Sequence, residues 1–264
     1  MLKISLDKLD RMFAAIAENH ALYLPVDTKA GAAYQKWDET KKLSDALNTV
    51  RSAKDFFFPQ TENLMDFKVE GNIDIIDTRS ECEDFVVFGV RACDVKSFEV
   101  LDRVFLAEPC DSYYKNRREH GVIMSLACTK PAETCFCGTF GIDAKEPGGD
   151  VVCWKTDDAL YMNAVSEKGK ALVESLSSLT EETDGSAVEE QKKQTAERLA
   201  KLPLAELSAD AFGDGKTSEF FNAPEWSELS ESCLGCGTCT FVCPTCQCYD
   251  IKDFNTGHGV KRFR

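Results

Sequence analysis

The stretch Cys233-Leu-Gly-Cys236-Gly-Thr-Cys239-Thr-Phe-Val-Cys243-Pro244 carries three cysteines at three-residue steps, then a fourth four residues on, followed by proline. That is the bacterial ferredoxin run for a [4Fe–4S] cluster. A cubane needs several thiolates converging on a small volume, and two-residue gaps let a tight loop wrap around it. Gly235 and Gly237 allow the positive φ angles and close backbone approach of such a loop. Pro244 then fixes φ and withholds a donor, redirecting the chain after the last ligand. The competing reading is a zinc site with Cys233, Cys236, Cys243 and Cys246 as a tetrahedral set. Such a set has no use for Cys239, and its two pairs usually lie further apart.

In two-cluster ferredoxins the fourth cysteine of a run ligates the other cluster. The sequence ends at Arg264, sixteen residues past Cys248, and contains no second run. The fourth ligand is therefore expected from Cys243, from Cys246 or Cys248 in the tail Pro244-Thr-Cys246-Gln-Cys248, or from residues outside this sequence.

Working outward, 264 residues are enough for one large or two modest domains. With 43% hydrophobic and 29% charged residues, the chain reads as globular. No apolar run approaches the ~20 residues needed to span a bilayer. Met1-Leu-Lys-Ile-Ser lacks a signal-peptide core, so a cytoplasmic location is expected. Thirteen cysteines in such a chain point to metal rather than disulfides, and to an anaerobic or reducing setting. Six of them crowd into 233–248 and none precedes Cys82. A net charge of −14 argues against nucleic acid as partner; it suits a basic docking surface and equally suits solubility alone.

The remaining chain predicts an α+β protein. Leu6, Leu9, Phe13, Ile16 and Ala17 have helical spacing after a candidate cap at Ser5, and Lys41–Val50 reads as a second short helix. Phe56-Phe57-Phe58 before Pro59 reads as packed core, or else as an aromatic shelf for a partner or cofactor. Phe85–Val90 and Gly121–Ala127 are short apolar runs of the kind found in buried strands. Between them lie helical stretches at Val95–Leu106, with Asp94 as its expected cap, and Asp111–His120. Strand–helix–strand of this length favours a parallel pair with a crossover. Further strands are expected at 150–154 and 160–165, and two exposed helices around Gly185.

The expected organisation is an α/β domain at 1–165 with a short, mostly parallel sheet, an acidic helical connector at 166–225, and a small ferredoxin-like cluster domain at 226–264.

A second constellation follows the second apolar strand, at Cys128, Cys135 and Cys137, while Cys93 lies just past the end of the first. If the two strands run parallel, Cys93 and Cys128 leave the same sheet edge, where ligands gather in open α/β sheets. Four thiols from two loops would suit a second [4Fe–4S] cluster or zinc. Against this, free cysteine also serves as a small hydrophobe, which is the expectation for Cys82, Cys110 and Cys153. His20, His120 and His258 are scattered, and neither GxGxxG nor a P-loop occurs. No catalytic residue is therefore assigned.

Gly89-Val-Arg-Ala-Cys93-Asp94, Leu101-Asp-Arg-Val-Phe-Leu106, Asp111-Ser-Tyr-Tyr114, Ala127-Cys128-Thr129, Thr134-Cys135-Phe-Cys137 and Cys233 to Cys248 occur here in one order. From about Phe56 onward the chain thereby resembles the family of iron–sulfur subunits found in anaerobic sulfite reductase and, as the beta subunit, in soluble [NiFe] sulfhydrogenase. The resemblance implies an electron relay from or to a partner that carries flavin and oxidises NAD(P)H. At the relay's other end it implies a catalytic subunit of hydrogenase, sulfite reductase or heterodisulfide reductase type. It implies cluster ligation by Cys233, Cys236, Cys239 and Cys243 with the extension Cys246 and Cys248, and a further site at Cys93, Cys128, Cys135 and Cys137. Family members typically continue past a segment like Lys261-Arg-Phe-Arg264 into further cysteines and a second run. Their absence reads as a fragment or a shortened relative, and the family's cluster count is not carried over. The rival reading is a zinc-binding structural scaffold of such a complex. A third is a complete enzyme with an open cluster iron.

Overall fold

Periodicity sets the first elements. In the computed structural model, which describes residues 1–70, 72–79 and 82–264, β1 (Leu2–Ser5) leads through a 3-10 turn into α1 (Leu9–Ala17). Leu9, Met12, Phe13 and Ile16 of α1 are buried, the one-sided stripe expected of a helix lying on a sheet. Next come β2 (Ala21–Thr28), β3 (Gly31–Lys36), a 3-10 turn at Ala53–Phe56, β4 (Asn63–Glu70) and β5 (Asn72–Asp77). The α/β centre is β6 (Phe85–Val90), α2 (Ala92–Phe105), α3 (Ser112–His120) and β7 (Gly121–Leu126). Then follow β8 (Val151–Lys155), β9 (Ala159–Ala164), α4 (Glu167–Ser175), β10 (Glu181–Glu182) and α5 (Ser186–Leu199). The last part holds α6 (Glu225–Ser230), α7 (Thr238–Val242), β11 (Lys252–Asn255) and β12 (Gly259–Phe263).

The fold is α+β. Eight strands form one sheet in the order β10-β1-β9-β8-β7-β6-β2-β3. Its centre, β2-β6-β7-β8, is parallel, and antiparallel strands flank it on both sides. The parallel pairing expected of the two apolar runs is thus present, within a wider mixed sheet. All six residues of β6 and of β7 are buried, because both sheet faces are covered. Side chains of α1 and α4 join Val86, Phe88, Val122 and Met124 on one face. Phe98, Leu101 and Tyr114 of α2 and α3 join Val87 and Ile123 on the other, where Val188 of α5 meets Trp154 and Tyr161 further along. Full burial of a side chain such as Phe88 contributes about 1.5–3 kcal/mol.

A smaller sheet, in the order β11-β12-β4-β5, joins the C-terminal strands to β4 and β5 of the first half. Strand β12 pairs with β4 from Gly259↔Lys68 to Phe263↔Asn63. Behind that pairing, Arg264 donates from Nε to Glu62 (2.8 Å) and is also paired with Asp111, and all three side chains are largely buried.

Two local expectations are corrected, and one hairpin had not been expected. Residues 41–50 form no helix, because tertiary hydrogen bonds take their backbone groups. The Arg91 guanidinium binds the carbonyls of Ala46 and Leu47, and Ser44 N–H donates to Pro25. Asp94 is not the cap of α2, which starts two residues earlier; its carboxylate accepts instead from Ala53 N–H at 3.4 Å. The β2–β3 hairpin was masked by Pro25, which demotes a strand reading. Pairing of β2 with β6 spans only Ala21–Tyr23, so the missing donor of Pro25 leaves that ladder intact. Pro25 also explains Gly89, where the register of β6 slips: φ is 85°, and a Cβ would lie 3.1 Å from the proline ring.

Helices α4 and α5 lie in the hydrophilic stretch beyond residue 165, broken at Gly185 (φ 78°). Leu172, Val173 and Val188 of these helices are nevertheless buried, and β10 pairs with β1. Phe57 and Phe58 are buried, as expected of a core segment.

Candidate metal centre

Two groups of thiols are assembled by different means. In the first, the parallel β6–β7 pair brings its two following segments to one sheet edge. Cys93 stands in the first turn of α2, and Cys128 follows β7, its N–H donating to Ala144 O at 2.9 Å. In the loop after Cys128, Cys137 lies near enough to act on the charge of Cys93 and Cys128, and Cys135 on that of Cys128 and Cys137. Cys93 is exposed at its surface, yet the protein on its inner side pushes its thiol up to about 12, and Asp94, Cys137 and Cys128 add repulsion. Burial likewise raises Cys128 against the lowering charge of Arg91, with Cys137 and Cys135 adding to the rise, and raises Cys137, with Cys135 contributing. Thiols that resist ionisation together need a compensating cation before they become thiolates, which is what an iron core provides.

The second group sits on a loop shaped by glycine. Gly235 and Gly237 adopt φ of 67° and 74°, as the spacing required. Gly237 starts the single-turn α7, and Cys243 ends it before Pro244. Along this loop, sulfur is met by donors two residues further on. Gly235 N–H points at Cys233 Sγ (3.4 Å), and the hydroxyls of Thr238 and Thr245 lie 3.3 and 3.2 Å from Cys236 and Cys243 Sγ. The hydroxyl and N–H of Thr238 hold the Cys236 thiol below its ordinary value. At Cys243, partial burial pushes upward, but donors from Thr245 and Cys246 and the nearby Lys54 charge outweigh it. Donors aimed at sulfur are the outer contacts that suit thiolate ligands of a cluster. Cys233, Cys236, Cys239 and Cys248 are exposed, while Cys243 and Cys246 are partly covered.

Among the described residues, no three His, Cys, Asp or Glu side chains are grouped as ligands of a single metal ion. Nor is any residue from 200 to 263 buried. A stretch of that length with no core gains its order from contacts elsewhere or from a bound group, since metal binding energy then acts as folding energy.

The contacts elsewhere were not legible in the sequence. Lys54 donates to the carbonyls of Cys243 (2.9 Å) and Cys246 (3.2 Å). Arg51 stacks over Phe241 at 5.0 Å, and Tyr249 lies against Phe58 and Phe105. The aromatic run is core, and Phe58 at its end also receives Tyr249, the residue that follows Cys248. Cys93 and Asp94 line a cavity of about 260 Å³ together with Val242 and Pro244, the neighbours of Cys243 in sequence. Of the remaining cysteines, Cys153 is fully buried and Cys82 and Cys110 are half-buried.

Residues 232–264 match the family model of a 4Fe-4S dicluster domain. This settles iron–sulfur over zinc for that stretch. Over 256 residues the chain is 30% identical to sulfhydrogenase 2 subunit beta of Pyrococcus furiosus, covering 95% of this chain and 73% of the relative. Both thiol groups and the sheet between them fall inside a similarity of that extent, and the chain belongs to the iron–sulfur subunit family of the sulfhydrogenase beta subunits.

Proposed function

We propose that this iron–sulfur subunit relays single electrons inside a multisubunit anaerobic oxidoreductase. One end of the relay is a partner linked to flavin and NAD(P)H, and the other is a catalytic subunit. The observation that carries the reading is the glycine-shaped cysteine loop at 233–248, which lies within the residues that match a 4Fe-4S dicluster domain. When bound, a [4Fe–4S] cluster supplies one-electron oxidation and reduction.

The protein's own part is to hold thiolates and set their surroundings. Cys233, Cys236 and Cys239 are the ligands on the glycine loop, and Cys243 is the fourth favoured by its donors from Thr245 and Cys246. Cys246 and Cys248 complete the six-thiol loop. Cys93, Cys128, Cys135 and Cys137 form the second ligand set, on the parallel sheet edge. In this reading residues 226–264 are the cluster unit, seated on an α/β body through β12 and Lys54. The relative's name includes sulfhydrogenase, and a hydrogenase-type catalytic partner is the corresponding proposal here. No described helix is long and apolar enough to cross a membrane. The reading puts the subunit at work in a reducing cytoplasm, where free thiols persist.

Iron and acid-labile sulfide, counted per chain on protein prepared without oxygen, test the reading. About eight of each are expected, from two cubanes. Replacing Cys128 by Ser should remove about half, as should Cys236→Ala, each leaving the other set loaded. Loss of nothing in either variant would sink the ligand assignment, and zinc without sulfide would sink the relay.

A further inference from the structure

Lys54 is 8% exposed, in the 3-10 turn that also holds Ala53 and Phe56, and its N–H is capped by Ser52 Oγ at 3.0 Å. A buried ammonium is normally paired with a carboxylate, because leaving the charge uncompensated is costly. Among the described residues no carboxylate lies within ion-pair distance of Lys54. Its neighbour Asp55 feels the Lys54 charge from beyond that distance, but is itself paired with Arg51. The partners of the ammonium are two carbonyls, those of Cys243 and Cys246, on either side of Pro244 and Thr245. Carbonyl dipoles solvate a cation but do not neutralise it. The loop that offers them carries six thiols, and thiolates around an iron–sulfur core bring the missing negative charge.

We propose that Lys54 is a positioning residue of the C-terminal cluster: its buried charge clamps the Cys243–Cys246 turn and favours the cluster's reduced state. The inference rests on the relay reading above, since it needs a cluster on that loop. Net charge and burial are among the determinants of cluster potential. Reduction adds one negative charge, so a fixed cation beside the loop stabilises the reduced form more than the oxidised one. The electron comes from the partner redox subunit, and no bond is made or broken and no proton moves. Arg51, stacked on Phe241 two residues before Cys243, is compensated by Asp55 and so contributes shape rather than net charge.

The test is a redox titration followed by electron paramagnetic resonance on the anaerobic full chain, with iron and sulfide counted in each sample. The signal lost in Cys236→Ala identifies the C-terminal cluster. Lys54→Gln keeps a donor and removes the charge. It should keep its iron while the ratio of reduced to oxidised cluster at a fixed potential falls about tenfold, a shift of about 59 mV to lower potential for one electron. Lys54→Arg should return the wild-type value. An unchanged potential in sulfide-replete Lys54→Gln protein would overturn the role of Lys54 and leave the relay reading intact. Should Lys54→Gln lose the cluster, Lys54→Arg decides: retention at wild-type potential supports the charge, and loss there too overturns it in favour of shape alone. Wild-type protein without acid-labile sulfide would instead overturn the relay reading itself.

Discussion

Thiols of the same chain differ here by more than their sequence neighbours suggest. Cys153 lies in β8 with both sheet faces covered, and burial alone pushes its thiol far up. Cys236 is exposed, and the hydroxyl and N–H of Thr238 pull its thiol down. Because the thiolate is the nucleophile, the two diverge in reactivity. In metal-free protein near neutral pH, iodoacetamide should modify Cys236 well before Cys153, and mass spectrometry of tryptic peptides would read the order. Reconstitution with iron and sulfide should protect Cys236 and leave Cys153 as it was. Faster labelling of Cys153 would mean that the centre of the sheet opens in the apoprotein. What the sequence showed at this level was local: the cysteine spacing and the two glycines. The donors of Thr238 and Thr245 were also within reach, since each lies two residues after a cysteine.

Strand β12 is the element that seats the cysteine-rich segment on the rest of the chain. Its pairing with β4 is backed by Arg264, held between Glu62 and Asp111 with Arg117 beside Glu62 at 2.8 Å. Removing one carboxylate from a buried set leaves a guanidinium short of charge. Glu62→Gln should therefore destabilise the protein by about 3 kcal/mol, seen as a lower urea midpoint at unchanged slope. A change below about 0.5 kcal/mol would place the group among surface pairs of little worth. None of this was legible, because Glu62 and Arg264 lie about two hundred residues apart in the sequence. By contrast β6 and β7 were legible from sequence, since strands covered on both faces must be apolar throughout.

Considered as a body, the molecule has one well-built core and a long margin without any. Buried side chains run from β1 to α5, while residues 200 to 263 contribute none. Order in the margin then depends on β12, on the Lys54 clamp and on whatever the thiols hold. Removing iron with a chelator should open sites between about 200 and 258 to trypsin, while the part up to α5 survives and still melts cooperatively. A cleavage pattern identical with and without iron would show that the loop is ordered by protein contacts alone.

The amino-acid sequence by itself determined the chemistry and the central strands. The cysteines of 233–248 lie a few residues apart on one loop, and doubly covered strands advertise themselves as unbroken apolar runs. Where Lys41–Val50 goes, what Asp94 binds, and how the cysteine loop meets the sheet were settled by folding. Their partners, Arg91, Ala53 and Lys54, lie from 41 to 189 residues away along the chain for the hydrogen bonds concerned. Only the topology of the two sheets brings such residues within hydrogen-bonding distance. A helical propensity over ten residues then yields to carbonyls already claimed by a distant guanidinium.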